Sequence, residues 1–275
     1  MALVPRLSDW KWWARSLVSS GDRTTYRALR RERRETARLT ALPRYAPTVT
    51  HLLGPPVALV DAASFLWTYQ DVFQRGIYAF RTASERPYIV DAGANIGLSV
   101  IYFKRLYPAS EIVAFEPDPN LFAILQRNVR AHGYEDVELV PRALWSSETK
   151  LDFWQEGADG GRIAFGEDRK TATVQTTRLR GYLHRPVDLL KLDIEGAEAE
   201  VLSDCRDLLD TVARVYVEYH SFACQPQTFP TLVDVLAGAG FRIHLQPCSV
   251  ARQPFLERPP ASGLDMQVHV FGFRD

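Results

Sequence analysis

The chain has 275 residues, 46% of them hydrophobic and 24% charged, with 33 Lys+Arg against 33 Asp+Glu. That composition excludes a disordered, collagen-like or disulfide-scaffold description of the whole, and the length suits one large α/β domain with an appendage. Cys205, Cys224 and Cys248 form no C-x-x-C pair, and no uncharged apolar run approaches the roughly 18 residues of a spanning helix. With no signal-like N-terminus either, a soluble cytoplasmic protein is expected. The charge balance conceals an asymmetry. Residues 1–50 carry eleven Lys/Arg against four Asp/Glu, a net +7, which leaves −7 for residues 51–275. An acidic body is a poor surface for a nucleic-acid backbone, whose binders depend on Lys and Arg.

In chain order, Tyr88-Ile89-Val90 reads as a buried strand followed by a glycine turn. Leu98, Ile101, Tyr102 and Leu106 then recur at helical spacing until Pro108. Ile112-Val113-Ala114-Phe115 is a second strand. Asp118 caps the next helix, with Pro119 at its first position and Leu121, Ile124, Leu125 and Val129 facing inward; Gly133 ends it. Residues 137–140 make a third strand. Residues 145–180 break the rhythm, being polar, with Gly157, Gly160, Gly161 and Gly166 and an alternating run from Thr173 to Thr177. They read as an inserted hairpin or a mobile loop. Asp188-Leu189-Leu190-Lys191-Leu192 is a fourth strand, followed by a helix face of Ala197, Val201, Leu202, Cys205, Leu208 and Leu209. Val215-Tyr216-Val217 is a fifth strand, and Leu232, Val233 and Leu236 mark a helix stopped by Gly240. Residues 241–245 and 266–271 have no helical pattern between them, so they are expected to pair as an antiparallel hairpin. The predicted fold is a doubly wound, seven-stranded, mostly parallel α/β sheet of Rossmann-like type with an antiparallel last strand. It occupies residues 61–275, behind an N-terminal helical extension at 1–60.

Three constellations carry chemistry. The first is Asp91-Ala92-Gly93-Ala94-Asn95-Ile96-Gly97, between a strand and a helix. Glycine lets the backbone turn tightly and approach a ligand, and the helix start offers unpaired N–H groups. Glu116 ends the next strand, where a carboxylate can accept both hydroxyls of a ribose. Together these describe a pocket for a nucleoside-containing cofactor. A dinucleotide site wants G-x-G-x-x-G, whereas this pattern is D-x-G-x-N-x-G. A carboxylate at Asp91 repels a pyrophosphate and attracts a cation such as the ammonium of S-adenosylmethionine. An NAD(P)-dependent oxidoreductase stays as the alternative enzyme, and a non-catalytic S-adenosylmethionine-binding module as the alternative from another class.

The second constellation runs from Leu189 to Glu198, where the fourth strand ends on the same carboxyl edge. Asp193 and Glu195 project from the turn, and Glu198 in the first helical turn reads as serving the helix dipole. The third is Val217-Glu218-Tyr219-His220. Among six histidines, His220 alone sits at a strand end beside these motifs, which makes it a candidate general base. His51, His132, His184, His244 and His269 read as surface or hairpin residues.

These segments resemble the FkbM-type methyltransferase family within the class I S-adenosylmethionine-dependent fold. The pieces that carry the likeness are residues 90–99, Ala114-Phe115-Glu116-Pro117-Asp118-Pro119, residues 190–198 and residues 217–220, preceded by Asp71-Val72-Phe73 and Tyr78. It covers about residues 65–222. The resemblance implies that Asp91, Gly93, Asn95 and Gly97, with Ala94 and Ser99 beside them, line the methionine part of the cofactor. It further implies that Glu116, with Pro117, holds the ribose, that Arg142 and Ala143 flank the adenine, and that Asp193 lies near the transferred methyl. Tyr78 is expected to close the pocket. The implied reaction is O-methylation of a small molecule, sugar or natural product, with S-adenosylhomocysteine as product. His220 is the expected base, Glu195 or Asp193 its alternative or orienting partner, and no metal is expected. The chain departs from the family pattern at Thr177-Arg178-Leu179-Arg180, where an acidic residue is usual, which leaves that loop's contacts open.

Half of the six tryptophans are Trp10, Trp12 and Trp13, ahead of the arginine-dense residues 27–38. One or two helices are expected here, packed on the core or on a second copy of the chain in a homodimer. A lid, an anionic-substrate clamp, a membrane-surface contact and an RNA-binding arm are the functional alternatives.

Overall fold

The computed structural model describes residues 23–158, 160–164, 171–249, 253, 255–256 and 263–274. Trp10, Trp12, Trp13 and Gly166 lie outside them. The described chain opens with helix α1 (Arg23–Thr40), then a two-stranded antiparallel hairpin of β1 (Thr48–Thr50) and β2 (Val57–Leu59). Helix α2 (Ala62–Tyr69) follows, capped by Asp61, whose side chain accepts from the Ser64 N–H. It runs straight into a π-helical turn, Gln70–Arg75, which Gly76 closes in the left-handed region.

The central layer is built in the expected order. β3 (Tyr88–Ala92) leads to α3 (Leu98–Leu106), β4 (Glu111–Phe115), α4 (Pro119–Ala131) and β5 (Glu138–Val140). A small second sheet follows, made of β6 (Ala143–Leu144), β7 (Lys150–Trp154), β8 (Arg162–Ile163) and β9 (Thr171–Thr177) in the order β6-β9-β7-β8. Of the two readings of the insert, the hairpin is the one adopted, because β7 pairs antiparallel with both β8 and β9. The main layer resumes with β10 (Leu189–Leu192), α5 (Glu198–Asp204), β11 (Arg214–Phe222), α6 (Phe229–Gly238), β12 (Arg242–Ser249) and β13 (Leu264–Phe273).

Seven strands form the main sheet in the order β12-β13-β11-β10-β3-β4-β5. Only β13 runs against its neighbours β11 and β12. Alternation along the buried strands decides which face each side chain takes. Ile89, Ile112, Leu189 and Tyr216 meet α3 and α4 through Val100, Phe103, Leu125 and Val129. Val90, Val113, Leu190 and Val217 meet α5 and α6 through Val201, Leu202, Leu232 and Leu236. A third cluster joins α1, the hairpin and α2 to α3, through Leu39, Val57, Phe65 and Ile101. Asn128 on α4 fixes that attachment, since its side chain both accepts from the Ala58 N–H at 2.7 Å and donates to the Ala58 carbonyl at 2.9 Å.

The strand order reverses between β3 and β10, so the loops after β3 and β10 part on opposite sides and leave a crevice at their carboxyl ends. No helix among the described residues is long and apolar enough to cross a membrane.

Candidate active site

The glycine turn after β3 is shaped by a backbone contact. Gly93 has φ +82°, and a Cβ there would lie 1.8 Å from the Asp193 carbonyl oxygen. The turn after β10 thus packs directly against the turn after β3. Gly93 and Ala94 donate their N–H groups to the Phe115 carbonyl at 3.1 and 2.8 Å, which ties both to the end of β4. Asn95, also at positive φ (+49°), accepts from the Ile96 N–H through its side chain and donates to the Ala158 carbonyl at 3.0 Å. Ala158 lies in the connection between β7 and β8, so the insert covers the turn. Glu116 accepts from the Asn95 and Asp118 N–H groups, each at 2.9 Å. Burial pushes its carboxyl up to about 7.

Beneath the turn lies an ionic core centred on Lys191, which is opposite Asp91 in the β3–β10 register. Its ammonium is 3.3 Å from Asp91 and 3.4 Å from Asp193, and it donates to the carbonyls of Gly93 at 2.6 Å and Ala92 at 3.3 Å. Burial opposes this charge, but Asp91 and Asp193 outweigh it and hold the lysine above its usual pKa. Asp91, with no exposed surface, also accepts from the Ser99 hydroxyl at 2.6 Å.

The third part is a cluster around His220. The β11–β13 register sets His220 opposite Gln267 and Glu218 opposite His269. His220 Nε2 faces Glu195 Oε1 at 3.6 Å, Glu218 Oε1 at 3.8 Å and the Gln267 amide at 3.2 Å; its Nδ1 meets Glu198 Oε1 at 3.1 Å. Glu195 takes φ +54°, a conformation that costs about 1–3 kcal/mol in a residue other than glycine. Burial opposes the charge on His220, yet the surrounding glutamates Glu195, Glu198 and Glu218 raise its pKa well above the usual imidazole value. Burial lifts Glu195 to about 8 and, with help from Glu218, Asp193 to about 6. Glu218 is different. Burial pushes it up, but His269, His220 and Lys191 together bring it to about 2. His220 and Glu195, 3.6 Å apart, therefore influence each other's titration.

A cavity of about 470 Å³ runs along this edge. Its walls include Gly93, Ala94, Asn95, Ser99, Glu116 and Pro117, with Arg142 and Ala143 from beyond β5. Tyr78, Asp193, Glu195 and His220 also line it. Twelve residues expected at the site thus reach one cavity. Asp91 and Gly97 differ, because neither lines it. Asp91 is spent on Lys191 and Ser99 behind the wall, and a Cβ at Gly97 would meet Leu125 of α4 at 2.8 Å, so that glycine serves helix packing.

Other lining residues were not among the expected catalytic or cofactor-binding side chains, although Asp71, Lys191 and Glu218 fall within the motifs. Trp67 and Asp71, from α2 and the π-helical turn, contribute to the cavity, as do Trp154, Arg162 and Phe222. Lys191, Glu218 and Gln267 line it too. Period-two alternation already puts Glu218 and His220 on one face of a strand; Gln267 is visible only through the hairpin register. His269, expected at the surface or in the hairpin, is a hairpin residue but a buried one, 3.6 Å from Glu218. Arg178 and Arg180 turn away from the site to pair with Asp204 and Asp207 at the far end of α5. Among the described residues, two groups of side chains hold ligand atoms within 4.8 Å of one another, Asp193-Glu195-His220 and Glu218-Cys248-His269. The first offers the oxygen donors a hard cation prefers.

A glycine turn, an acid on the next strand and a mixed seven-stranded sheet define a class I, Rossmann-like methyltransferase architecture. Comparison with known proteins narrows this. The methyltransferase FkbM domain model matches residues 91–243, and the chain belongs to that family. It is 33% identical over 206 residues to Methyltransferase sdnD of Sordaria araneosa, covering 60% of this chain and 79% of the relative. With Methyltransferase 1 of Beauveria bassiana it shares 29% identity over 207 residues, 65% of this chain and 81% of the relative. With the 31-O-demethyl-FK506 methyltransferase FkbM of Streptomyces tacrolimicus it shares 26% over 230 residues, 69% and 86% of the two chains. The protein is a methyltransferase.

Proposed function

We propose that this methyltransferase uses S-adenosylmethionine to methylate a hydroxyl of a small molecule, sugar or natural product. The observation that carries the reading is the acidic lining of the cavity at the strand reversal. Glu116, Asp193, Glu195 and Glu218 all face it, against Arg142, Arg162 and Lys191, of which Lys191 is committed to Asp91, Asp193 and two carbonyls. Such walls suit a sulfonium and a ribose and oppose a pyrophosphate. The residues fit the cofactor in kind: the backbone of Gly93 to Asn95 beside its methionine part, Glu116 toward the ribose hydroxyls, and Arg142 and Ala143 beside the adenine. Asp91 acts at one remove, holding Lys191 and Ser99 under the turn. When bound, the cofactor supplies a methyl group already activated by its sulfonium.

The protein's remaining work is to align the acceptor and take its proton. His220 accepts that proton at Nε2, and Glu195 and Glu218, within 4 Å, stabilise the imidazolium that results. Trp67, Trp154 and Phe222 give the acceptor apolar surface, and Gln267 gives it a hydrogen-bonding group. A hydroxyl acceptor is in keeping with the name of the Streptomyces relative, which refers to a demethylated oxygen. Incubation with methyl-labelled cofactor and an extract rich in hydroxylated metabolites tests the reading. Label in an ether-linked methyl is the expected result, and label confined to amines or carboxylates contradicts it.

A further inference from the structure

Glu198 has no part in the reaction so far, yet it is among the most constrained side chains of the site. It has no exposed surface, although a glutamate at the first position of a helix ordinarily points to water. Its carboxylate turns back over the preceding loop. Oε1 accepts from the Ile194 N–H at 3.2 Å and the Gly196 N–H at 3.0 Å, and Oε2 from the Gly196 N–H at 3.1 Å. The same Oε1 meets His220 Nδ1 at 3.1 Å. Sequence reading gives Glu198 to the helix dipole; the structure gives it to the catalytic turn and to the imidazole.

We infer that Glu198 is a positioning residue that holds neutral His220 with its proton on Nδ1, so that the Nε2 lone pair faces the cavity. The inference rests on His220 being the base. Two independent contacts support it. A carboxylate can only accept, so the hydrogen between Nδ1 and Oε1 belongs to the histidine. On the other side of the ring, Gln267 Nε2 donates to Glu218, and that acidic partner fixes which end of the amide is NH₂. The same NH₂ lies 3.2 Å from His220 Nε2, which in the neutral ring is then the acceptor. Gln267 thus marks where an acceptor hydroxyl would present its proton. The charged groups facing the ring are Glu195 from the turn, Glu198 from α5 and Glu218 from β11, with Asp193 close by.

Glu198→Gln separates charge from shape. Its single carbonyl oxygen must serve the Ile194 and Gly196 N–H groups, which turns the amide NH₂ toward Nδ1. The ring is then driven to the Nε2–H form, which cannot accept a proton. Imidazole ¹⁵N correlation spectra of the full-length protein read the tautomer directly. The expected result is Nδ1–H in the wild type above the histidine's titration and Nε2–H in the variant. A fall in kcat of roughly 10²–10⁴-fold, with S-adenosylhomocysteine affinity changed less than about twofold, should accompany the switch. Glu198→Asp, which keeps the charge, should restore part of the rate. A wild-type neutral ring carrying its proton on Nε2 overturns the inference even if no variant folds, and so does an unchanged tautomer in Glu198→Gln. A switched tautomer with full turnover upholds the positioning role and refutes His220 as the base.

Discussion

The two halves of the cavity are made of different material. On the β3–β4 side the turn is backbone, with N–H groups and carbonyls held by Gly93, Ala94 and Phe115 and a single carboxylate, Glu116, at the rim. On the β10–β11–β13 side it is ionisable side chains, with Asp193, Glu195, Glu198, Glu218, His220 and His269 bearing on one another across three strands and a helix. Backbone geometry recognises a constant ligand at any protonation state, whereas a cluster of titrating groups performs proton transfer and responds to pH. The division suits the proposed cofactor on one side and the proposed acceptor on the other.

Substitutions should separate the halves. His220→Ala is expected to lower kcat by roughly 10²–10⁴-fold while cofactor affinity, followed by calorimetry, holds within about twofold. An equal loss of both would erase the distinction. Lys191 belongs to both halves. Replacing it with methionine strips Asp91 of its counter-charge and should cost about 3–5 kcal/mol of stability in denaturant titrations. Gly93→Ala forces a Cβ against the Asp193 carbonyl and should destabilise by about 1–3 kcal/mol, with a loss of cofactor affinity that His220→Ala does not share.

Acidity draws the same line at a smaller scale. Glu116, lifted by burial to about 7, is ionised only above that value, so cofactor affinity should weaken as pH falls through 7. Glu195, lifted to about 8, lies 3.6 Å from His220 Nε2, and the glutamates around that ring raise its pKa as well. A raised pKa means the proton is kept to higher pH, so the unprotonated base accumulates only as pH climbs. At saturating cofactor, kcat should therefore rise with pH from neutrality into the alkaline range. A flat profile between pH 6 and 9 would remove this pair from the proton path.

Legibility in the sequence follows the same division. The β3–β4 half is local: Asp91 to Gly97, Glu116 and the Asp118 cap lie within 28 consecutive positions, and their spacing alone gives strand, turn, helix and strand. Even there, the burial of Asp91 against Lys191 escapes a linear reading, because it arises from pairing residues 100 positions apart in the parallel register of β3 and β10. The other half depends on contacts that sequence order hides. Gln267 and His269 reach Glu218 and His220 through an antiparallel strand whose register no motif announces, and Glu198 turns inward where helical rules point it out. The inserted sheet was visible as a change of composition, but its role in covering Asn95 through Ala158 was not.

The acidic crevice at the strand reversal should accept a phosphate-free nucleoside that carries an amino-acid ammonium. Calorimetric titration of the full-length protein with S-adenosylhomocysteine and, separately, with NADH tests it most directly. Saturable binding of the first, weakened by Glu116→Ala, and no heat from the second are the expected results. Tight NADH binding with none for S-adenosylhomocysteine would contradict it.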